Sequence, residues 1–354
     1  MHVLLEGVIP LTLQALINHF IKTKQTTLVA INNNIKYFKY GYMEEKDKPN
    51  FIRQSDLHGS STLNQDAATS HLLFRIFPFI VGKDVKLNDD YWELYTLLSD
   101  IIDISFSPVI SLETVAKLKD AVKCYLKLFR ELFPDKPLTP KQHYLIHFPK
   151  VIILLGPLIN LWAMRFEAKH RYFKQLKRTM NFKNVCLSLS RHHQKLAAIN
   201  RSADTIFKEN TYGPVRRIIG DELSMVKRRI SSTLSIDISS INTMEAFKWL
   251  TLHGTKYMID ECHLAVKFDD EEYPLFGKLC GLWELNLSLV VFDIICLETV
   301  GFSEPLKAYE VRPQASGIIS VTPDMLITHT PLPVYSFNGC SYIKLKYDIS
   351  DLKD

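Results

Sequence analysis

The chain has 354 residues, 47% of them hydrophobic and 23% charged, with a formal net charge of +5. That length suits two domains or one large one, and the apolar fraction gives ample material for a core. Six cysteines without a C-x-x-C pair argue against a zinc ribbon or disulfide framework and for a reducing compartment.

The mild net charge hides a block pattern. Residues 1–140 carry 16 basic and 16 acidic side chains, 141–244 carry 18 and 6, and 245–354 carry 9 and 16. A basic middle points to a polyanion partner, nucleic acid being the usual one, unless the basic and acidic blocks neutralise each other within the molecule. Val151–Trp162, the longest apolar run, is broken by Gly156 and Pro157 and is too short to span a bilayer. The opening MHVLLEGVIP lacks a basic segment and carries Glu6, which excludes a secretory signal. An intracellular protein is expected, with no membrane partner.

In chain order, Pro10 opens a helix with Leu13, Leu16, Ile17 and Phe20 on one face. Residues 22–57 read as a long loop with at most short elements, because the pattern decays into Asn32-Asn33-Asn34, aromatic residues and the cluster EEKDKPN. Asp66 caps a helix through HLLFRIFPFIV, which Pro78 is expected to kink or end. Asn88 and Asp89 open another, and Ser111 caps a third that runs to Pro134. Thr139-Pro140 starts the next, carrying His143 and His147 four apart. That is zinc-pair spacing, but the Glu of H-E-x-x-H is absent, so two half-buried structural histidines are the default.

Residues 161–180 form a basic helix around a single acid. Between Lys141 and Arg201 the chain has twelve basic residues against one carboxylate, Glu167. On a helix, Trp162, Phe166, Phe173, Leu176 and Met180 share one side, expected to face the core, and Glu167, His170, Arg171, Lys174 and Arg178 the neighbouring side. Glu167 either pairs with Arg171 one turn on, or helps hold a divalent metal while the cations hold phosphates. Candidate nucleic-acid contacts are Lys169, His170, Arg171, Lys174, Lys177, Arg178, Arg191 and Lys195, within a basic span from 141 to 229. Residues 205–244 read as a mobile basic and serine-rich linker.

From residue 245 the texture changes to short β-branched and aromatic runs such as TKYMI, LSLVVFDIIC and YIKLKYDI, separated by turns at His253-Gly254, Asp269-Asp270 and Asn338-Gly339. Asn-Gly is a strong two-residue hairpin signal. The expected fold is therefore α+β: helices over 1–204, then a small antiparallel β barrel or sandwich over 245–350.

The stretch LTPKQHYLIHFPKVIILLGPLINLWAMRFEAKHRYFK resembles the part of CACTA (En/Spm-like) transposases where an H-x-L-x-H-x-P helix leads into Gly-Pro and then W-x-x-x-F-E. MHVLLEGVIP and NQDAATSHLLFRIFPFIVG are similar to two further segments of that family, and the C-terminal strands are similar to the tail of animal members. The resemblance implies an RNase H-like fold with a helical insertion and a D-D-E triad that binds Mg²⁺. Glu167 matches the final carboxylate and His2 the histidine of a D-x-x-H string, both as vestiges, because the two aspartates have no counterpart here. One carboxylate does not fix two metal ions, so strand cleavage is not expected of this chain. The implied function is that of a transposase-derived protein in the nucleus that binds double-stranded DNA. Two alternatives stand beside it: an interaction scaffold whose acidic β module takes a protein partner, and part of an active transposase completed by upstream sequence.

Overall fold

A computed structural model describes residues 2–58, 63–178, 183–202, 210–216, 221–266, 273–286 and 288–352, without the side chains of Arg165, Phe166, Ala168, Lys169, Arg171, Asn200, Ala315 and Ser316. Asp269-Asp270 and Met180 lie outside the described residues. The architecture is α+β, an N-terminal helical region followed by an antiparallel sheet region.

The helical region opens with a π-helical turn, Leu4–Val8, that runs into α1 (Ile9–Lys22). Together these make a helix long and apolar enough to cross a membrane, yet 67% of its most apolar window is buried in the molecule. It is the central helix of the core, with Leu13, Leu16, Ile17 and Phe20 fully enclosed. After α2 (Leu28–Tyr37), the layer continues with α3 (Ala67–Val81), α4 (Asp90–Ser105) and α5 (Leu112–Leu132). Asp66, Asp89 and Ser111 cap the last three as the sequence predicts, each side chain accepting from a backbone N–H three residues on. Thr139 and Gln142 form a capping box at the start of α6 (Pro140–Tyr144), and α7 (Phe148–Leu155) follows after a short 3₁₀ turn.

One local expectation fails for an identifiable reason, and one pair of alternatives is narrowed. The loop expected over 22–57 contains α2, capped by Thr27. Its asparagines clamp neighbouring backbone: Asn32 exchanges two hydrogen bonds of 2.9 Å with Ile52, and Asn34 donates to Ile80 O at 2.7 Å. Ile31 and Ile35 pack inward, so tertiary contacts outweigh the weak propensity of the Asn run. Pro78 does not end α3, which runs on to Val81. The carbonyl of Phe74, which proline leaves without its helical N–H, accepts the Tyr95 hydroxyl at 3.0 Å instead.

The next helices, α8 (Met164–Arg178) and α9 (Val185–Ser202), lie at the periphery; none of their described side chains is fully buried. The predicted linker is partly structured. It holds the short strand β1 (Thr211–Tyr212) and α10 (Glu222–Leu234), whose Val226 and Ile230 pack against Trp283, Leu285 and Val291. The apolar residues Val226 and Ile230 recur four apart among the serines and cations, and that spacing anchors the helix.

The strands are β2 (Met244–Ala246), β3 (Trp249–Leu252), β4 (Thr255–Met258), β5 (His263–Val266), β6 (Leu275–Leu285), β7 (Leu289–Ser303), β8 (Ala308–Val321), β9 (Val334–Phe337) and β10 (Cys340–Ile343). A three-stranded sheet has the order β1-β3-β4; the larger sheet has the order β2-β6-β7-β8-β10-β9, with β5 also on β6. Single bridges from His263 to Leu332 and from Val266 to Leu326 tie β5 to the segment leading into β9. The turns at His253-Gly254 and Asn338-Gly339 take positive φ at both residues, 48° and 82°, then 49° and 84°, as two-residue hairpins require.

The main core crosses the expected boundary between the halves. Tyr335, Phe337 and Tyr342 from the last hairpin, with Leu306 and Ala308, share one cluster with α1, α3, α4 and α5. Phe79 stands among the three hairpin rings at centroid distances of 5.0, 6.2 and 6.1 Å. A second cluster, including Leu250, Tyr257, Leu264 and Phe292, lies in the sheet region, and Tyr42 from the helical region packs against it.

Candidate nucleic-acid interface and the His2–Glu167 pair

The π-turn buries Leu4, Leu5 and Val8, which fixes the residues between and before them at the surface. Gly7 lies so close to Lys141 that an added Cβ would stand 2.3 Å from its Cδ, and the Lys141 amine donates to the Glu6 carbonyl at 2.7 Å. This close approach brings the N-terminal turn against the start of α6. Trp162, edge-on to Phe106 at 5.2 Å, anchors the segment that enters α8.

Glu167 and His2, 165 positions apart, meet at this junction. His2 Nε2 lies 3.3 Å from Glu167 Oε1, and its Nδ1 contacts the Glu6 carboxylate. The His2 ring thus stands between two carboxylates, those of Glu6 and Glu167. With side chains 61% and 44% exposed, the His2–Glu167 pair is a surface contact of small energetic weight. The expected Glu167–Arg171 pair involves a side chain outside the described residues, as does any contact of Lys169. The donor set does not fit Mg²⁺: that ion takes oxygen ligands in octahedral geometry, whereas Glu167 faces an imidazole. Among the described residues no three His, Cys, Asp or Glu side chains converge as metal ligands.

His143 and His147 are exposed rather than half-buried, with perpendicular rings 5.2 Å apart. The helix tightens to 3₁₀ after Tyr144, which turns both histidines outward while Gln142 and Leu145 face in.

The cations divide into two groups. On α8 and α9, His170, Lys174, Lys177, Arg178, Arg191 and Lys195 are all exposed. The two helices hold each other through half-buried Tyr172, Phe173 and His193, with the Phe173 and His193 rings 5.6 Å apart, so Phe173 seals a helix pair rather than entering the core. Of the described cations on and before α10, three are engaged within the chain and Arg228 is exposed. Arg229 pairs with Asp293, Arg216 with Glu222 at 2.5 Å, and Lys227 donates to Ile241 O at 2.9 Å. Asp293 is almost fully buried and also accepts from Trp283 Nε1 at 2.7 Å and Ser320 Oγ at 2.6 Å. One pair, Arg229–Asp293, joins the basic and acidic blocks at α10, and α8 and α9 carry an exposed basic surface.

Sequence reading missed a buried ionic seam between the helical region and the last strands. Arg75, 4% exposed, donates to Glu44 at 3.2 Å and to the Lys344 carbonyl at 2.9 Å; the Tyr335 hydroxyl donates to the same Glu44 oxygen at 2.7 Å. Lys344 is fully buried and donates to Tyr95 at 3.2 Å. Burial lowers the Lys344 amine to about 8, with Asp103 opposing the shift, and burial pushes the Asp103 carboxyl up to about 6 against the pull of Lys344. A lone Arg in HLLFRIFPFIV and alternate lysines in YIKLKYDI were the available signals. Arg75 sits where the helical apolar period demands a buried residue, whereas the lysines alternate with Ile343 and Leu345 and read as a solvent face.

No protein-family model matches the chain, and no curated protein matches it.

Proposed function

We propose that this chain is a transposable-element-derived protein of CACTA transposase type that binds double-stranded DNA through α8 and α9 and does not cut it. The observation that carries the DNA reading is the exposure of the basic side chains Lys174, Arg178, Arg191 and Lys195 on this peripheral helix pair. Phosphate contacts from such side chains give sequence-independent, salt-sensitive affinity. The ancestry reading rests on the sequence motifs and gains support from His2 standing against Glu167, since the resemblance assigns both to the catalytic region. In this reading the helices from Pro10 to about Leu155 are the insertion of an RNase H-like fold, and the last strands form a small barrel. The protein acts in the nucleus.

Cleavage is left out of the proposal on chemical grounds. Two-metal phosphodiester hydrolysis needs several carboxylates converging on the ions, and Glu167 is instead engaged by an imidazole. The test is fluorescence anisotropy with a labelled 25-base-pair duplex. Binding should weaken steeply with salt, with a log–log slope of about −3.6 to −5.4 for ~4 to 6 phosphate contacts. Replacing Lys174, Lys177, Arg178, Arg191 and Lys195 with Glu should lower affinity at least about tenfold at fixed salt. Absence of binding at about 50 mM salt would overturn the DNA reading.

A further inference from the structure

A second surface, away from α8 and α9, has the chemistry of a protein-docking groove. α7 is apolar nearly all round, yet of its eight residues only Pro149 and Ile152 are fully buried. Ile153 and Leu154 are 61% and 66% exposed, and Ile146 just before the helix is 51% exposed. These three side chains form one wall of a groove of about 890 Å³ between α7 and α5. Val122, Leu126 and Pro149 line its inner side. An apolar trough of this kind is uncommon on a finished surface and marks a contact site.

Charge selects the occupant. Lys119, Lys123 and Lys150 also line the groove, against the single carboxylate Asp120. The three lysines are exposed and make no ion pair among the described residues. Elsewhere on α5, Lys117 pairs with Glu113 and Lys127 with Glu131, so the unpaired lysines are those beside the groove. Two helices side by side leave a concave channel into which a third helix lays its ridge of side chains, at spacings of about 8–10 Å. A concave, apolar channel bordered by unpaired cations is complementary to a helix with an apolar face flanked by Asp and Glu. Concavity disfavours a lipid surface, which is met best by a convex or flat apolar face.

We infer that the α5–α7 groove is a docking site for an acidic amphipathic helix of a partner protein. The inference is independent of DNA binding, because it uses none of the residues of α8 or α9.

The test uses the full chain and a fluorescent helical peptide of about 18 residues with Leu at i, i+3, i+4 and i+7 and Glu on the flanks. A twin peptide keeps the Leu face and carries Lys in place of Glu. The acidic peptide should bind at least tenfold more tightly than the basic twin, and Ile153→Ser with Leu154→Ser should abolish that binding. Lys119→Glu, Lys123→Glu and Lys150→Glu together should reverse the preference toward the basic twin. All five substituted side chains are exposed, so circular dichroism should be unchanged. Equal affinity for both peptides, or binding that survives the Ser variants, would overturn the inference. So would a chain that ignores both peptides while binding phosphatidylserine vesicles or forming a dimer through Ile153 and Leu154.

Discussion

The buried seam and the α8–α9 pair treat charge in opposite ways. In the seam, Arg75, Glu44, Tyr335, Lys344 and Tyr95 are joined by hydrogen bonds within the molecule, with only Arg75 Nε among their buried atoms lacking a partner, and those bonds link positions 31 to 291 residues apart. On α8 and α9 the described cations stand in solvent on helices without a fully buried side chain. Charges committed inside hold the fold together; charges left outside are available to a partner. The same rule separates Arg229, fixed on Asp293, from Lys195.

The strongest way to break the contrast is to remove a seam member. Arg75→Met leaves the Glu44 carboxylate buried without its cation and should lower unfolding free energy by about 3–5 kcal/mol, measured by urea denaturation. A loss below ~1 kcal/mol would mean that the seam contributes little to stability. Tyr95→Phe removes the donor to Phe74 O and the acceptor of Lys344, with an expected cost of about 1–3 kcal/mol.

Acidity sharpens the comparison further. The Asp103 carboxyl is raised to about 6 from an ordinary 3.8, so the folded chain holds that proton more tightly than the unfolded one. Its contribution is full at low pH and is lost as pH rises through 6. The Lys344 amine, lowered to about 8 from 10.5, binds its proton less tightly when folded, so its contribution grows as pH rises from about 8 toward 10.5. His71 and His263, lowered by burial, act in the opposite sense on the acid side, and Lys346, also lowered to about 8, shares the alkaline side. The check is therefore the difference from wild type: Asp103→Asn should lose relative stability at low pH, and Lys344→Met should shrink the alkaline rise in urea midpoint. The smallest stability effect belongs to the exposed side: the five-fold charge reversal on α8 and α9 should shift unfolding free energy by less than about 0.5 kcal/mol per site while removing DNA binding.

These differences also explain which features the sequence made legible. Asp66, Asp89, Ser111 and Thr139 act on backbone three residues away, and Asn338-Gly339 acts on itself, so local chemistry was enough to read them. α2 was hidden because its asparagines answer to Ile52 and Ile80, distant in sequence. The continuation of α3 past Pro78 depends on a hydroxyl from another helix. At the candidate site, the composition of α8 was plain, while the orientation of His2 toward Glu167 came only with the fold. The α10 helix was masked by its serines, although Val226 and Ile230 carried its period.

The last hairpin closes the first core, and that has a consequence for how the chain is made. A ribosome releases α1, α3, α4 and α5 long before Tyr335, Phe337 and Tyr342 emerge to cover Phe79. Until then the nascent helices hold apolar surface open and Arg75 lacks its acceptor at Lys344. Completion is therefore set by contacts of very long loop span, the slow and aggregation-exposed kind. A stop codon ahead of the final thirty residues would leave a helical layer that chaperones retain rather than a smaller working protein.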